Sequence, residues 1–234
     1  MTAKPWFYLL FPLLAVAAPG GHSHNDYEQD RPFEGAARSG MVSIEADVYP
    51  QDGHLLVAHS RFQLDPENTL TRLYLEPLQR WQGKPLELLV DFKSDPDLAL
   101  NLLEQELTAN PPPPKTIVIL SGSRPKRSPR LAYITLEGTV AELRGQGLPA
   151  NCRYVSGPWW PESSWKGDGP MGAGTRTRLE ELVKRAHDKG LLLRLWGTPD
   201  NAEAWGEFYQ AGVDRINTDH PQELAEFLKE KESR

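Results

Sequence analysis

Glu45 and Asp47 stand two residues apart in the run Ser43-Ile44-Glu45-Ala46-Asp47-Val48. If this run is a strand, its alternation puts both carboxylates on one face and Ile44, Ala46 and Val48 on the other. Two partly buried carboxylates so close repel each other, and one must take up a proton unless a cation lies between them. A divalent metal removes the conflict, and an all-oxygen donor set suits Mg²⁺ or Ca²⁺ better than zinc. The run Leu88-Leu89-Val90-Asp91-Phe92-Lys93 repeats the pattern, with Asp91 and Lys93 on one face. Asp91 is the candidate third oxygen ligand. Lys93 either neutralises a phosphate oxygen or pairs with Asp91 at the strand end.

Two histidines complete the set. His24 closes a short run, Gly21–His24, and His59 follows Leu55-Leu56-Val57-Ala58 just after an Asp52-Gly53 turn. A hairpin at that turn returns His59 toward the carboxylates. An imidazole on either side of a phosphorus suits general acid and general base work, because its pKa lies near the working pH.

Eight β-type runs must position these groups: Gly21–His24, Val42–Val48, Leu86–Phe92, Thr116–Leu120, Ala132–Leu136, Arg153–Ser156, Leu191–Trp196 and Asp214–Thr218. Helical patterns lie between them, clearest over Asp97–Ala109, Arg176–Lys189 and Asn201–Ala211. Such alternation implies parallel strands joined by crossover helices. Eight strands predict an α/β fold, a single TIM-type (β/α)8 barrel whose first strand is short or irregular. Arg194 and Trp196 share a face of the seventh run and are candidate substrate contacts. Asn217 and Asp219 share a face of the last, where Asp219 serves either the site or the cap of a helix starting near Pro221. The Gly157–Gly174 stretch, with Trp159, Trp160 and Trp165, is read as either a substrate-covering lid or a loop pinned by its own tryptophans.

Composition narrows the partners. Charged residues make up 25% and the formal net charge is −6, so the broad basic footprint of a nucleic-acid binder is missing. The one basic cluster, Arg124, Lys126, Arg127 and Arg130, sits among Ser and Pro and reads as a solvated loop. The single Cys152 excludes an internal disulfide and a multi-cysteine zinc site, and is read as structural filler. At the N-terminus, Lys4 precedes an apolar run from Trp6 to Leu14 and then Ala15-Val16-Ala17. This is the pattern of a cleavable signal peptide over residues 1–17. The expectation is a secreted or periplasmic protein whose domain spans 18–234.

His22-Ser23-His24-Asn25-Asp26-Tyr27, Arg31-Pro32, Gly40, Glu45-x-Asp47, Asp52-Gly53 and His59 together resemble the glycerophosphodiester phosphodiesterase-like group of the phospholipase C-like phosphodiesterases. The His-Asn-Asp-Tyr run is similar to the branch holding the altered-inheritance-of-mitochondria-6 proteins. Leu73-Tyr74-Leu75-Glu76-Pro77-Leu78, Asp91-x-Lys93 and the segment from Ala211 to Pro221 extend the resemblance. It implies a barrel enzyme that cleaves phosphodiesters of small molecules or lipid headgroups, with transient contact at a membrane surface. It also implies one Mg²⁺ or Ca²⁺ on Glu45, Asp47 and Asp91, with His24 and His59 moving protons. The better-known branch has His-Arg-Gly where this chain has His24-Asn25-Asp26, so Arg31, Lys93 or Arg194 must take over that arginine's phosphate contact. Two alternatives stay open: a secreted barrel binding a phosphorylated or anionic ligand without turnover, and a metal-dependent phosphoesterase of the H-x-H type using His22 and His24.

Overall fold

The computed structural model describes residues 18–145, 147–160 and 163–233. The signal-peptide segment, 1–17, lies outside them. Nine strands form one sheet: β1 (Gly20–Ser23), β2 (Ser43–Gln51), β3 (His54–Val57), β4 (Glu87–Phe92), β5 (Ile117–Gly122), β6 (Ile134–Thr139), β7 (Cys152–Pro158), β8 (Leu192–Trp196) and β9 (Arg215–Thr218). All pairings are parallel except β2 with β3, and β1 pairs with both β9 and β2, which closes the barrel. The eight parallel strands are the eight expected from sequence, and the fold is a TIM-type barrel.

Its helices are α1 (Glu34–Ser39), α2 (Glu76–Gln79), α3 (Pro96–Ala109), α4 (Val140–Arg144), α5 (Ala173–His187), α6 (Ala202–Ala211) and α7 (Pro221–Glu232). No helix follows β5; residues 123–133 cross to β6 as a loop instead. That loop carries the basic cluster, and two of its arginines are paired: Arg124 reaches Glu142 at 2.6 Å and Arg127 reaches Glu104 at 2.7 Å. The cluster is therefore largely neutralised. No helix among the described residues is long and apolar enough to cross a membrane.

The glycines of β1 lie close against neighbouring side chains. A Cβ on Gly21 would collide with the Met41 sulfur, so the strand seats flush only without a side chain there. β2 runs past the barrel rim and folds back at Asp52-Gly53, whose φ values of 48° and 80° suit a two-residue hairpin turn. β3 then returns antiparallel, with Val48 opposite Val57, and carries His59 back beside the end of β2.

The strands sort their side chains by face. Ile44, Ala46, Val48, Leu88, Val90, Phe92 and Val118 are buried in one large cluster with Leu100, Leu103 and Leu107 of α3. Inside the barrel, Leu89, Ile119 and Tyr154 form a separate small cluster. Below it, at the N-terminal ends of the strands, Arg215 grips Glu87 through Nε at 2.7 Å and Nη2 at 2.8 Å. The Tyr154 hydroxyl also donates to Glu87. This plug leaves the opposite, C-terminal end of the barrel for polar groups, the end where TIM-barrel active sites form.

Candidate active site

Asp47 and Asp91 lie side by side on β2 and β4. With Glu45 they present carboxylate oxygens all within 4.8 Å of one another. Lys93 Nζ bridges the two aspartates, 2.9 Å from Asp47 Oδ2 and 2.8 Å from Asp91 Oδ2. The ion-pair reading of Lys93 is observed: Lys93 pairs with Asp91, and equally with Asp47. Two of its three ammonium protons are used, leaving one for a ligand. The second oxygens, Asp47 Oδ1 and Asp91 Oδ1, are buried and have no hydrogen-bond partner.

The electrostatics follow from that crowding. Burial and the neighbouring Glu45 push the Asp47 carboxyl up to about 6, against the pull of Lys93. Glu45 goes the other way: burial opposes its charge, but Arg194 and His22 hold it well below the usual carboxylate range. Burial works against the Lys93 charge, but Asp91 and Asp47 together raise its pKa. Tyr27 adds a neutral donor, its phenol 2.8 Å from Asp47 Oδ2. Burial and the Asp47 charge push that phenol far above its ordinary value.

His24 lies at the cavity mouth with Nδ1 2.8 Å from Asp219 Oδ1. This settles Asp219: it faces the site, while the α7 N-cap position belongs to His220 and has no side-chain cap. Burial disfavours the His24 cation, but the Asp219 hydrogen bond and the charges of Glu45 and Asp219 outweigh it and raise the pKa. His59, 57% exposed, sits with Nδ1 3.8 Å from Asp47 Oδ2 and 3.3 Å from the Tyr27 hydroxyl. The hairpin does deliver it to the carboxylates.

A cavity of about 500 Å³ opens here, lined by His24, Glu45, His59, Asp91, Lys93, Arg194 and Trp196 among others. Of the eight residues singled out in the sequence, only Asp47 stands behind this wall. Arg194 faces the cavity but is 3% exposed and committed to protein partners, with Nη1 2.9 Å from Glu45 Oε2 and 3.3 Å from Asn217 Oδ1. Trp196 meets Trp160 edge to face at 4.8 Å, and Trp160 is 61% exposed. Trp159 is buried against Phe208 at 5.1 Å, and Trp165 packs on both. The described part of that loop is therefore pinned by its own tryptophans, with Trp160 alone projecting beside the cavity. Arg31 pairs with Glu34 on the surface and is not brought to the cavity.

Glu137 escaped the sequence reading, and Asp26 and His22 take roles it did not assign. Glu137 on β6 lines the cavity, where Ser121 Oγ donates to it at 2.5 Å and Arg194 Nη2 lies 3.4 Å away. Asp26 accepts from Ser23 Oγ, Phe33 N and Tyr74 Oη, and so fixes the loop that follows β1. His22 is fully buried, bonded to Ser43 and Glu45. Among the described residues, the carboxylate cluster that could hold a metal includes neither His22 nor His24. His187 is half-buried and pairs with Asp214 at 2.9 Å. Burial pushes the Cys152 thiol up to about 11, in keeping with an inert residue.

A solved glycerophosphodiester phosphodiesterase shares this closed parallel barrel fold. The chain superposes on such an enzyme from Parabacteroides distasonis with a TM-score of 0.64 at 16% identity, covering 93% of this chain and 99% of the other. An Oleispira antarctica phosphodiesterase, solved with its product sn-glycerol-3-phosphate, gives 0.61 at 12% identity over 91% and 97%. Residues 193–222 match the glycerophosphoryl diester phosphodiesterase family, and residues 14–87 match the AIM6-like phosphodiesterase domain. Altered inheritance of mitochondria protein 6 of Eremothecium gossypii is 28% identical over 88% of this chain and 68% of its own length. The Arthroderma benhamiae homologue is 25% identical over 85% and 80%. Both matched segments and these relatives make the chain similar to the glycerophosphodiester phosphodiesterase-like proteins, and within them to the altered-inheritance-of-mitochondria-6 proteins.

Proposed function

We propose that the protein hydrolyses phosphodiesters with the help of one divalent cation, Mg²⁺ or Ca²⁺, held by Glu45, Asp47 and Asp91. The observation that carries this reading is the pair of buried, partnerless oxygens, Asp47 Oδ1 and Asp91 Oδ1, within a carboxylate triad. Buried acceptors are normally satisfied, and a hard cation suits an all-oxygen donor set. Such an ion, when bound, supplies positive charge against a phosphoryl oxygen. Lys93 offers its remaining proton to the same anionic group. His24, anchored through Nδ1 on Asp219 and biased toward its protonated form, gives a proton to the leaving alcohol from Nε2. His59, across the cavity, takes a proton from the attacking hydroxyl of water or of the substrate itself. The substrate is a small-molecule or lipid-headgroup phosphodiester, met outside the cytoplasm if residues 1–17 act as a signal peptide.

Hydrolysis of bis(p-nitrophenyl) phosphate and of glycerophosphodiesters, each with EDTA, Mg²⁺ or Ca²⁺, tests the proposal. Turnover that needs the metal supports it. A folded protein inert with every ion would leave a ligand-binding barrel as the better account.

The acid role of His24 carries its own prediction. Asp219→Asn removes the contact and charge that hold His24 up, so the alkaline limb of the kcat profile moves to lower pH. A limb that stays put removes His24 from the role. Stability has the same sign. The folded His24 pKa lies above the ordinary 6.5. The pair's contribution is therefore full below 6.5 and lost as pH rises through the folded value.

A further inference from the structure

His22 and Arg194 converge on one atom. His22 Nε2 and Arg194 Nη1 lie 2.8 Å and 2.9 Å from Glu45 Oε2, and all three side chains are buried. The two nitrogens are themselves 2.9 Å apart, which restricts the protons. If Nε2 were unprotonated it would face the Glu45 carboxylate lone pair to lone pair. Nε2 therefore carries the hydrogen and donates it to Oε2, while Nδ1 accepts from the Ser43 hydroxyl at 2.8 Å. Arg194 donates to the same oxygen, steadied by Asn217 and Glu137. No donor among the described residues reaches Glu45 Oε1. Lys93 treats the aspartates alike, holding Oδ2 of each and leaving each Oδ1 without a partner. Every carboxylate of the triad thus has one oxygen occupied by a fixed protein donor and one unoccupied.

We propose that the His22–Arg194 clamp confines Glu45 to a single donor oxygen and thereby biases the triad toward Mg²⁺ over Ca²⁺. This rests on the metal reading above. Ca²⁺ takes six to eight oxygens and often binds carboxylates through both, whereas Mg²⁺ takes six and keeps several waters. A triad offering one oxygen per carboxylate sacrifices more of the Ca²⁺ shell than of the Mg²⁺ shell. Arg194 is then a positioning residue acting through Glu45, rather than a contact to substrate, and His22 is its partner. The positive charge of Arg194 weakens binding of both ions together, so the ratio of the two affinities isolates the number of oxygens offered.

The experiment is calorimetric titration of the full chain with MgCl₂ and with CaCl₂, for wild type, Arg194→Met, Arg194→Lys and His22→Leu. In Arg194→Met, Glu45 Oε2 loses its charged donor, and the Kd ratio of Ca²⁺ to Mg²⁺ is expected to fall roughly tenfold, the scale on which partners behind a metal ligand act. Arg194→Lys keeps a cationic donor and holds the ratio nearer to wild type. If Arg194→Met does not fold, His22→Leu removes the other donor and must move the ratio in the same direction. Ratios equal in all folded variants, or moved toward Mg²⁺, overturn the clamp while leaving the metal site intact. A folded wild type that binds neither ion sinks the metal reading, and this inference with it.

Discussion

Asp47→Asn is expected to abolish most turnover and to make the metal-free protein more stable. Both effects come from one carboxylate. Asp47 is fully buried between Glu45, Asp91, Lys93 and Tyr27, and its Oδ1 has no partner. An amide of the same shape keeps the packing but removes the charge and an anionic donor from the proposed metal triad. Losing one group that stabilises developing charge typically costs roughly 10²–10³-fold in kcat. Phosphodiester hydrolysis in saturating Mg²⁺ reads that loss. Activity within a few-fold of wild type would take Asp47 out of the machinery.

The stability change has a definite pH signature. The folded carboxyl titrates at about 6 against an ordinary 3.8. Its charge is therefore disfavoured by the fold, at a cost of about 3 kcal/mol once fully ionised. Stability from the protonated group is complete below 3.8 and is lost as pH rises through about 6. The amide of Asp47→Asn escapes that loss but gives up the contact with Lys93, so a net gain of about 1–3 kcal/mol is expected above pH 7. For a domain of this size each kcal/mol moves Tm by roughly 2–4 °C. In EDTA, the two proteins should melt together near pH 4 and diverge by pH 8, with the variant higher. A variant that melts lower at pH 8 would show that Asp47 serves the fold rather than the site.

What the sequence disclosed follows from the range over which its signals act. Alternation is local, so Glu45 and Asp47 declare their shared face within three residues, and eight strands emerge within three residues of their ends. The hairpin at Asp52-Gly53 is also local, and it made the return of His59 legible. Residues whose meaning depends on a distant partner stayed hidden. His22 reads like any histidine beside a glycine pair until β1 is laid against β2 and Arg194 arrives from β8, 172 positions away. The acidic Glu137 sits in an ordinary β run, and only barrel closure turns it into the cavity. Arg194 was placed correctly on the inner face, but alternation cannot tell a substrate contact from a buried counter-ion. The tryptophan loop divides in the same way, because Trp159 and Trp160 are neighbours in sequence and only α6 decides which is buried.

At the opposite end of the barrel, Arg215→Met is expected to lower stability by about 3–5 kcal/mol, the usual result of removing one partner from a buried ion pair. Arg215 donates twice to Glu87, lies 2.9 Å from the Tyr154 hydroxyl and donates to the Asp214 carbonyl at 2.8 Å. Without it, Glu87, 7% exposed, keeps only the Tyr154 hydroxyl and the more distant Arg153, 3.6 Å away, among the described residues. Tm should fall by roughly 6–20 °C at pH 7. Converting both members, Arg215→Met with Glu87→Met, should recover most of that loss, because desolvating two charges costs nearly as much as their attraction returns. Leu89, Ile119 and Tyr154 separate this plug from the carboxylate triad, so kcat measured well below the lowered Tm should stay near wild type. A double variant as unstable as the single would mean that the pair is bound into the wider network through Arg153 and Tyr154. A fall in kcat at low temperature would mean that the base of the barrel sets the spacing of the strands at its mouth.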